Sequence, residues 1–358
     1  QHSLPFTTER ILAAVPITDR VDVTRDVVSS WRAASDGVTA QTEKNRKKYF
    51  EHWISYCQKL QMDPFLRHKS DTEICIAAMA FAARVRKGSY GYGAQVKVGQ
   101  VSKALAAISK TIELAGATSP LYLEKGVFKT PIARMLEGFR REDPPVVPQL
   151  AVPVEVPHAA YKTAYSTSCK IEKAKADLAL VAFYYLLRVG EYTKPKYTVV
   201  NGVRKRTTRT KQFSIGNIGF FKGDTLMKVV DDEGHLLLSL NQLLEATSAT
   251  LKITNQKNGR MGETIHQECT RNDTSPVKAL ARRVFQILQD GGTKDSLLCD
   301  YYDNTTEQWS SITADQMCQL VNTTVTKLDL KARGIVAELV GSHSLRSGGA
   351  MALKLHGI

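Results

Sequence analysis

Near the end of the 358-residue chain, Ser342-His343-Ser344-Leu345-Arg346-Ser347-Gly348-Gly349-Ala350 places an imidazole and a guanidinium three positions apart. Serine is a favoured N-cap, so a helix capped by Ser342 puts His343 and Arg346 on one face at its positive end. The two side chains, the unpaired backbone N–H groups and the helix dipole then converge on one spot, and that spot suits a phosphate. A capped helix carrying two solvated polar residues is the plain alternative for this stretch by itself.

A second stretch bears on the first. Residues 178–187 are almost wholly apolar and are closed by Arg188-Val189-Gly190-Glu191. The run is too short to cross a membrane and reads as a helix buried on most sides, with Arg188 at its end. A guanidinium beside such a helix needs an anionic partner. Glu191 is one candidate, which would make a simple ion pair; a phosphate is the other. Between the two stretches, residues 249–266 alternate polar and β-branched side chains around Asn258-Gly259, the strongest short hairpin signal. Lys257 stands at that turn, where a flexible ammonium either reaches a phosphate or is simply solvated; Lys252 is the fallback.

The order Leu186-Leu187-Arg188-Val189-Gly190-Glu191, then His343-Ser344-Leu345-Arg346-Ser347-Gly348-Gly349, resembles the two signature boxes of the tyrosine recombinases, the phage-integrase type of DNA strand transferase. The pair in this order is more specific than either half. The resemblance implies a catalytic set of Arg188, Lys257, His343 and Arg346, with Glu191 as a supporting residue. Two arginine forks and an imidazole N–H would stabilise the charge that builds on a phosphodiester under attack. Lys257 would protonate the departing 5′ oxygen, and a tyrosine would form a 3′-phosphotyrosyl intermediate. That chemistry implies no cofactor, metal or ATP. It implies double-stranded DNA as partner and a DNA-dependent homo-oligomer, a tetramer in synapsis.

The chain also departs from the family's pattern. Arg188 and Lys257 are 257 − 188 = 69 positions apart, which is long and points to an insertion around 194–246. No tyrosine follows Tyr302, and Tyr301 and Tyr302 precede the His-x-x-Arg box rather than follow it. The expectation is therefore a fragment, starting at Gln1, whose catalytic domain lacks its nucleophile and which is inactive alone. Type IB topoisomerase-like relaxation of DNA and a catalytically inactive DNA-binding protein of the same fold stay open as alternatives.

Composition agrees with a polyanionic partner. Formal net charge is +14 with 43% hydrophobic and 23% charged residues, the balance of a globular protein with a basic surface. Six scattered cysteines show no C-x-x-C and no zinc spacing, so they read as reduced intracellular thiols. No transmembrane run is visible, and the expected location is intracellular, nuclear if the source is eukaryotic and cytoplasmic otherwise. No Walker loop or H-E-x-x-H pattern offers a competing chemistry.

Periodicity places the elements that must hold these residues. Helices are expected over about 24–34, 42–60, 71–86 and 96–115, and from a Thr130 N-cap with Pro131 at the first helical position. The second carries the stripe Tyr49, Trp53, Tyr56 and Leu60, with Lys44, Lys47 and Lys48 outward; the last turns Arg134 and Arg140 outward. These make an all-α domain over 1–142 whose collective basic surface would contact DNA, as a core-binding domain would. Five prolines over 143–157 read as an extended linker. Residues 158–358 then form the catalytic domain. Within it, strand material over 198–222 surrounds a basic turn with Arg204, Lys205, Arg206, Arg209 and Lys211, which fits either phosphate contact or a solvated loop. Further strands are expected over 225–230 and 236–240. Ser275-Pro276 starts one helix and a Thr313…Gln316 capping box another. The fold class is mainly α with a small antiparallel sheet (α+β), and the resemblance implies a two-domain clamp around DNA.

Overall fold

The computed structural model describes residues 13–91, 93–145, 147–200, 203–208, 210–255 and 261–357. The chain divides into two compact units, one comprising 1–145 with 197–207 and the other 146–196 with 208–358. The architecture is α+β.

The first unit contains α1 (Arg20–Asp36), α2 (Ala40–Lys59), α3 (Asp71–Arg86), α4 (Val98–Leu114), the short hairpin of β1 (Tyr122–Glu124) and β2 (Val127–Phe128), and α5 (Thr130–Glu142). Its core follows the apolar stripes: Tyr49, Trp53 and Tyr56 of α2 meet Phe81 of α3, Leu105, Ile108 and Ile112 of α4, and Ile132 and Leu136 of α5. The Trp53 indole satisfies its N–H on the Pro64 carbonyl at 2.8 Å. Leu60 departs from the expected stripe, because it is the C-cap residue of α2 and is exposed. The cap of α5 also moves by one: Lys129 is the N-cap, so Thr130 and Pro131 lie in the first helical turn, where a missing N–H costs nothing.

To this unit the structure adds a β-hairpin from far along the chain, β3 (Tyr197–Val200) and β4 (Val203–Arg206). Its register pairs Tyr197 with Arg206, Thr198 with Lys205, Val199 with Arg204 and Val200 with Val203. Lys44 of α2 donates to Thr198 Oγ1 at 3.1 Å, anchoring the ribbon on the helix. Two expectations change here. Arg204, Lys205 and Arg206 belong to a strand rather than a turn, and residues 197–207 cluster with the first unit rather than with 158–358.

The second unit is built around α7 (Lys170–Tyr184), preceded by α6 (Glu155–Tyr165) and followed by the short α8 (Val189–Tyr192). Leu178, Leu180, Val181 and Ala182 are fully buried, as the apolar run requires. A four-stranded antiparallel sheet, ordered β6-β5-β7-β8, comprises β5 (Ile218–Lys222), β6 (Thr225–Leu226), β7 (Ser248–Lys252) and β8 (Thr264–Glu268). Residues 236–240 do not form the expected strand: Leu236 makes a single bridge to Val230, and Ser239 caps α9 (Leu240–Leu244). Next come α10 (Pro276–Gln289), the hairpin β9 (Asp300–Asp303) and β10 (Gln308–Ser311), α11 (Ala314–Lys327) and α12 (Ser342–Leu355). Ser275 stands at the N-cap position of α10, although its hydroxyl makes no capping bond, and Thr313 caps α11 as its sequence implies.

The expected 143–157 linker is shorter than its prolines suggest. Pro157 occupies the first turn of α6, where its nitrogen needs no intrahelical partner. Leu150 and Val152 belong to the second unit: Leu150 N–H donates to Leu339 O at 2.7 Å, Val152 N–H to Ser344 O at 3.3 Å, and Val152 is buried. The buried carboxylate of α7 is paired. Asp177 of α7 accepts from Arg282 Nε of α10 at 3.0 Å and from the Tyr165 hydroxyl at 2.7 Å, and Arg282 lies over the Tyr161 ring at 4.8 Å.

One stability prediction arises directly. Thr313 Oγ1 accepts from the Gln316 N–H at 3.2 Å, while Gln316 Oε1 takes the Thr313 N–H at 2.8 Å. Thr313→Ala removes half of this reciprocal cap and is expected to lower unfolding free energy by about 1 kcal/mol. Denaturant unfolding monitored by circular dichroism checks it; an unchanged midpoint would refute it.

Candidate functional site

The first arginine stands at a sharp turn. The helix expected to run to Arg188 instead stops at Tyr184, and Leu186 adopts a left-handed backbone with φ 53°. A leucine in that region is uncommon and costs of order 1 kcal/mol or more, so the surroundings must hold it. They do: the Leu187 N–H donates back to Ala182 O at 3.0 Å, and Leu186 O accepts from Arg346 Nη1, 160 positions later. Arg188 emerges from this turn as the N-cap of α8.

Glu191 fixes it there. The Glu191 carboxylate, only 2% exposed, accepts the Arg188 backbone N–H at 2.7 Å and its Nη1 at 3.2 Å. The next segment closes over α8, with Gln212 Nε2 on Gly190 O at 2.9 Å and the Phe213 N–H on Glu191 O at 3.0 Å. Arg188 itself remains about a quarter exposed.

The second arginine is on α12. This helix begins at Ser342, and its N-cap is Gly341 rather than Ser342; the Gly341 N–H donates to the buried Ser344 Oγ at 3.0 Å. His343 is exposed in the first turn and Arg346 follows one turn later, half-buried. Gly348 and Gly349 let the helix approach closely: a Cβ on Gly348 would lie 2.0 Å from Val152 O, and one on Gly349 2.1 Å from Phe183 O. Tyr192, buried at the end of α8, points its hydroxyl at Ser342 O, 3.4 Å away.

Positive charge gathers here. Burial and the neighbouring Arg188 charge push the Arg346 guanidinium below its usual range, and Glu191 partly offsets them. Two positive side chains with one nearby carboxylate leave a net positive charge. Each guanidinium has five N–H donors, so the internal contacts leave others for a ligand. A phosphate would supply the missing negative charge in the bidentate geometry arginine favours.

The remaining expected residues are distributed more widely. Lys257 and Arg209 lie outside the described residues. The hairpin predicted to carry Lys257 forms as β7 and β8, with exposed Lys252 opposite Thr264 at the end of the ladder. It is tied to the arginine turn by Tyr185 Oη donating to Ala249 O at 3.1 Å and Gln267 Nε2 to Tyr184 O at 3.0 Å. Lys211 is exposed, and its N–H reaches Asn255 O at 3.2 Å. In the first unit Lys44, Lys47 and Lys48 are exposed on α2, beside the hairpin that carries Arg204, Lys205 and Arg206. Arg134 and Arg140 are exposed on α5, Arg140 paired with Glu137.

Leu186, Tyr192 and the Gly348–Gly349 contacts were not singled out as positioning residues by sequence reasoning. Only the glycine pair carries a local signal, since adjacent glycines inside a helix are costly unless something packs against them. Among the described residues, the grouping of potential metal ligands is Asp231, Glu233 and His235 on a mostly exposed turn, where His235 Nδ1 is 3.1 Å from Asp231 Oδ2. No helix among the described residues is long and apolar enough to cross a membrane.

No family model and no curated protein sequence matches the chain. Among solved structures, it is similar to a variant of the Tn1549 transposon integrase in complex with a circular-intermediate DNA, at 11% identity and TM-score 0.43, covering 92% of this chain and 86% of that one. It is also similar to another variant of that integrase in complex with transposon right-end DNA, at 11% identity and TM-score 0.39, with 79% and 73% covered.

Proposed function

We propose that the chain is the core of a tyrosine recombinase that cleaves and rejoins DNA strands through a 3′-phosphotyrosyl intermediate. The observation that carries the proposal is that Arg346 bonds the carbonyl of Leu186, two residues before the Arg188 that Glu191 holds, near enough for the two positive charges to repel. In this reading the two guanidiniums bind the non-bridging oxygens of one scissile phosphate, and His343, one turn before Arg346, donates to the same group. Their charge is in place before the reaction, so no reorganisation is needed when the extra negative charge develops. Lys257 serves as general acid to the 5′ oxygen, with Lys252 as its alternative, and the nucleophile is a tyrosine. The chemistry calls for neither metal nor ATP. Lys44, Lys47, Lys48, Arg134, Arg140, Arg204, Lys205, Arg206, Arg209 and Lys211 supply DNA contacts, and synapsis assembles four protomers on two duplexes.

A second reading has one observation in its favour: both arginines already have internal partners, so the pair could brace the fold of a DNA-binding protein without catalysis. A nicked duplex that traps a covalent intermediate separates the two. The protein is expected to form a detergent-resistant protein–DNA adduct; the absence of an adduct would leave only the binding reading.

A further inference from the structure

The β3–β4 hairpin has two unlike faces. Strand alternation puts Tyr197, Val199, Arg204 and Arg206 on one face, and Thr198 and Lys205 on the other. Thr198 is buried and receives the Lys44 ammonium, so its face is the one seated on α2. The opposite face is open: Tyr197 is 40% and Val199 61% exposed. Arg204 lies 4.1 Å over the Tyr197 ring and Arg206 6.0 Å from it.

We infer that this face enters the major groove of duplex DNA and that Arg204 and Arg206 read base edges there, rather than only gripping phosphates. The inference rests on the proposal that the chain acts on DNA. An exposed valine, Val199, does nothing for a phosphate clamp, but it suits contact with a thymine methyl group. Stacking on Tyr197 holds the Arg204 fork in one direction, which bidentate recognition of guanine requires and loose charge attraction does not. Dimensions agree as well. A two-stranded ribbon fits a groove about 12 Å wide. Arginines two apart on one strand are separated by ~6.7 Å, close to two base-pair steps of ~3.4 Å each. Minor-groove insertion, the competing use of such a ribbon, reads a narrower and more degenerate surface.

The test uses the full chain and a random-sequence duplex library. Duplexes that bind are selected, sequenced and probed by dimethyl sulfate interference, which marks guanine N7 in the major groove and adenine N3 in the minor groove. The expected result is interference at guanines two steps apart, with Arg204→Ala and Arg206→Ala each erasing one of the two. Arg204→Lys keeps the charge but loses the fork, so it separates base readout from charge attraction. Its preference for the selected duplex should fall by roughly 5- to 150-fold. Interference at adenine N3, or variants that weaken all duplexes equally, would overturn the inference while leaving DNA binding intact. A parent chain that binds no duplex would overturn the proposed function with it.

Discussion

Arg346→Ala is expected to slow strand cleavage by the full-length protein by about 10²- to 10³-fold, the usual loss when one preorganised donor to a developing oxyanion is removed. Duplex affinity should change by only a few-fold, because one phosphate contact among many lowers the salt slope by about one unit charge. The stability effect should be small, since two consequences oppose each other. Removing the guanidinium frees Leu186 O from its partner, but it also relieves repulsion from Arg188 and the cost of holding a half-buried charge. Arg188→Ala is expected to lose a similar factor in cleavage. If both groups grip the same phosphate, their losses are not independent, and the double variant should fall well short of the product of the single losses. Single-turnover cleavage of a radiolabelled duplex, with thermal melts of each variant, measures all of this. Losses that multiply, or binding that falls in parallel with cleavage, would mean that the arginines do not share a phosphate.

Legibility in the sequence follows the range of the interaction. Signals confined to a few residues read well: the Thr313 and Gln316 cap, the Ser275-Pro276 start, and the Arg188–Glu191 spacing all appear as the local chemistry dictates. Features set by distant partners do not. The apolar run through Leu187 gives no reason for the helix to stop at Tyr184, because the left-handed Leu186 turn is held by Arg346 from the other end of the unit. The prolines predict a linker extending to 157, yet Val152 and Leu150 find backbone partners at Ser344 and Leu339. Likewise Arg204 to Arg206 look like an exposed basic turn until Lys44, 154 positions earlier, is found anchoring their strand through Thr198. The site shows the same division. Its residue types were legible, and the positions of Leu186 and Tyr192 that orient them were not.

The glycine pair of α12 provides the strongest structural test. In a helix whose glycines served no purpose, Gly→Ala would add about 1 kcal/mol of stability through backbone entropy alone. Here the sign should reverse. A Cβ on Gly349 would meet Phe183 O at 2.1 Å and Leu186 Cδ2 at 2.6 Å, and one on Gly348 would meet Val152 O at 2.0 Å. The oxygens are backbone atoms that no rotamer change can move, so α12 must shift away from α7. Such overpacking costs about 1–3 kcal/mol, and Gly349→Ala is expected to lower the melting temperature by roughly 3–10 °C for a unit of this size. Ser347→Ala, exposed on the same helix, should leave it unchanged or slightly raised. Function should suffer beyond stability. Phe183 and Leu186 are the residues against which Gly349 seats, and they lead directly into the turn that presents Arg188; the same helix carries Arg346. A displacement of about 1 Å between the two arginines is enough to cost ~10²-fold in a reaction that depends on their alignment. Cleavage by Gly349→Ala well below its own melting temperature should therefore fall far more than the loss of folded protein explains. A variant that melts at or above the parent temperature would show that the close approach of α12 to α7 is not what holds the two arginines together.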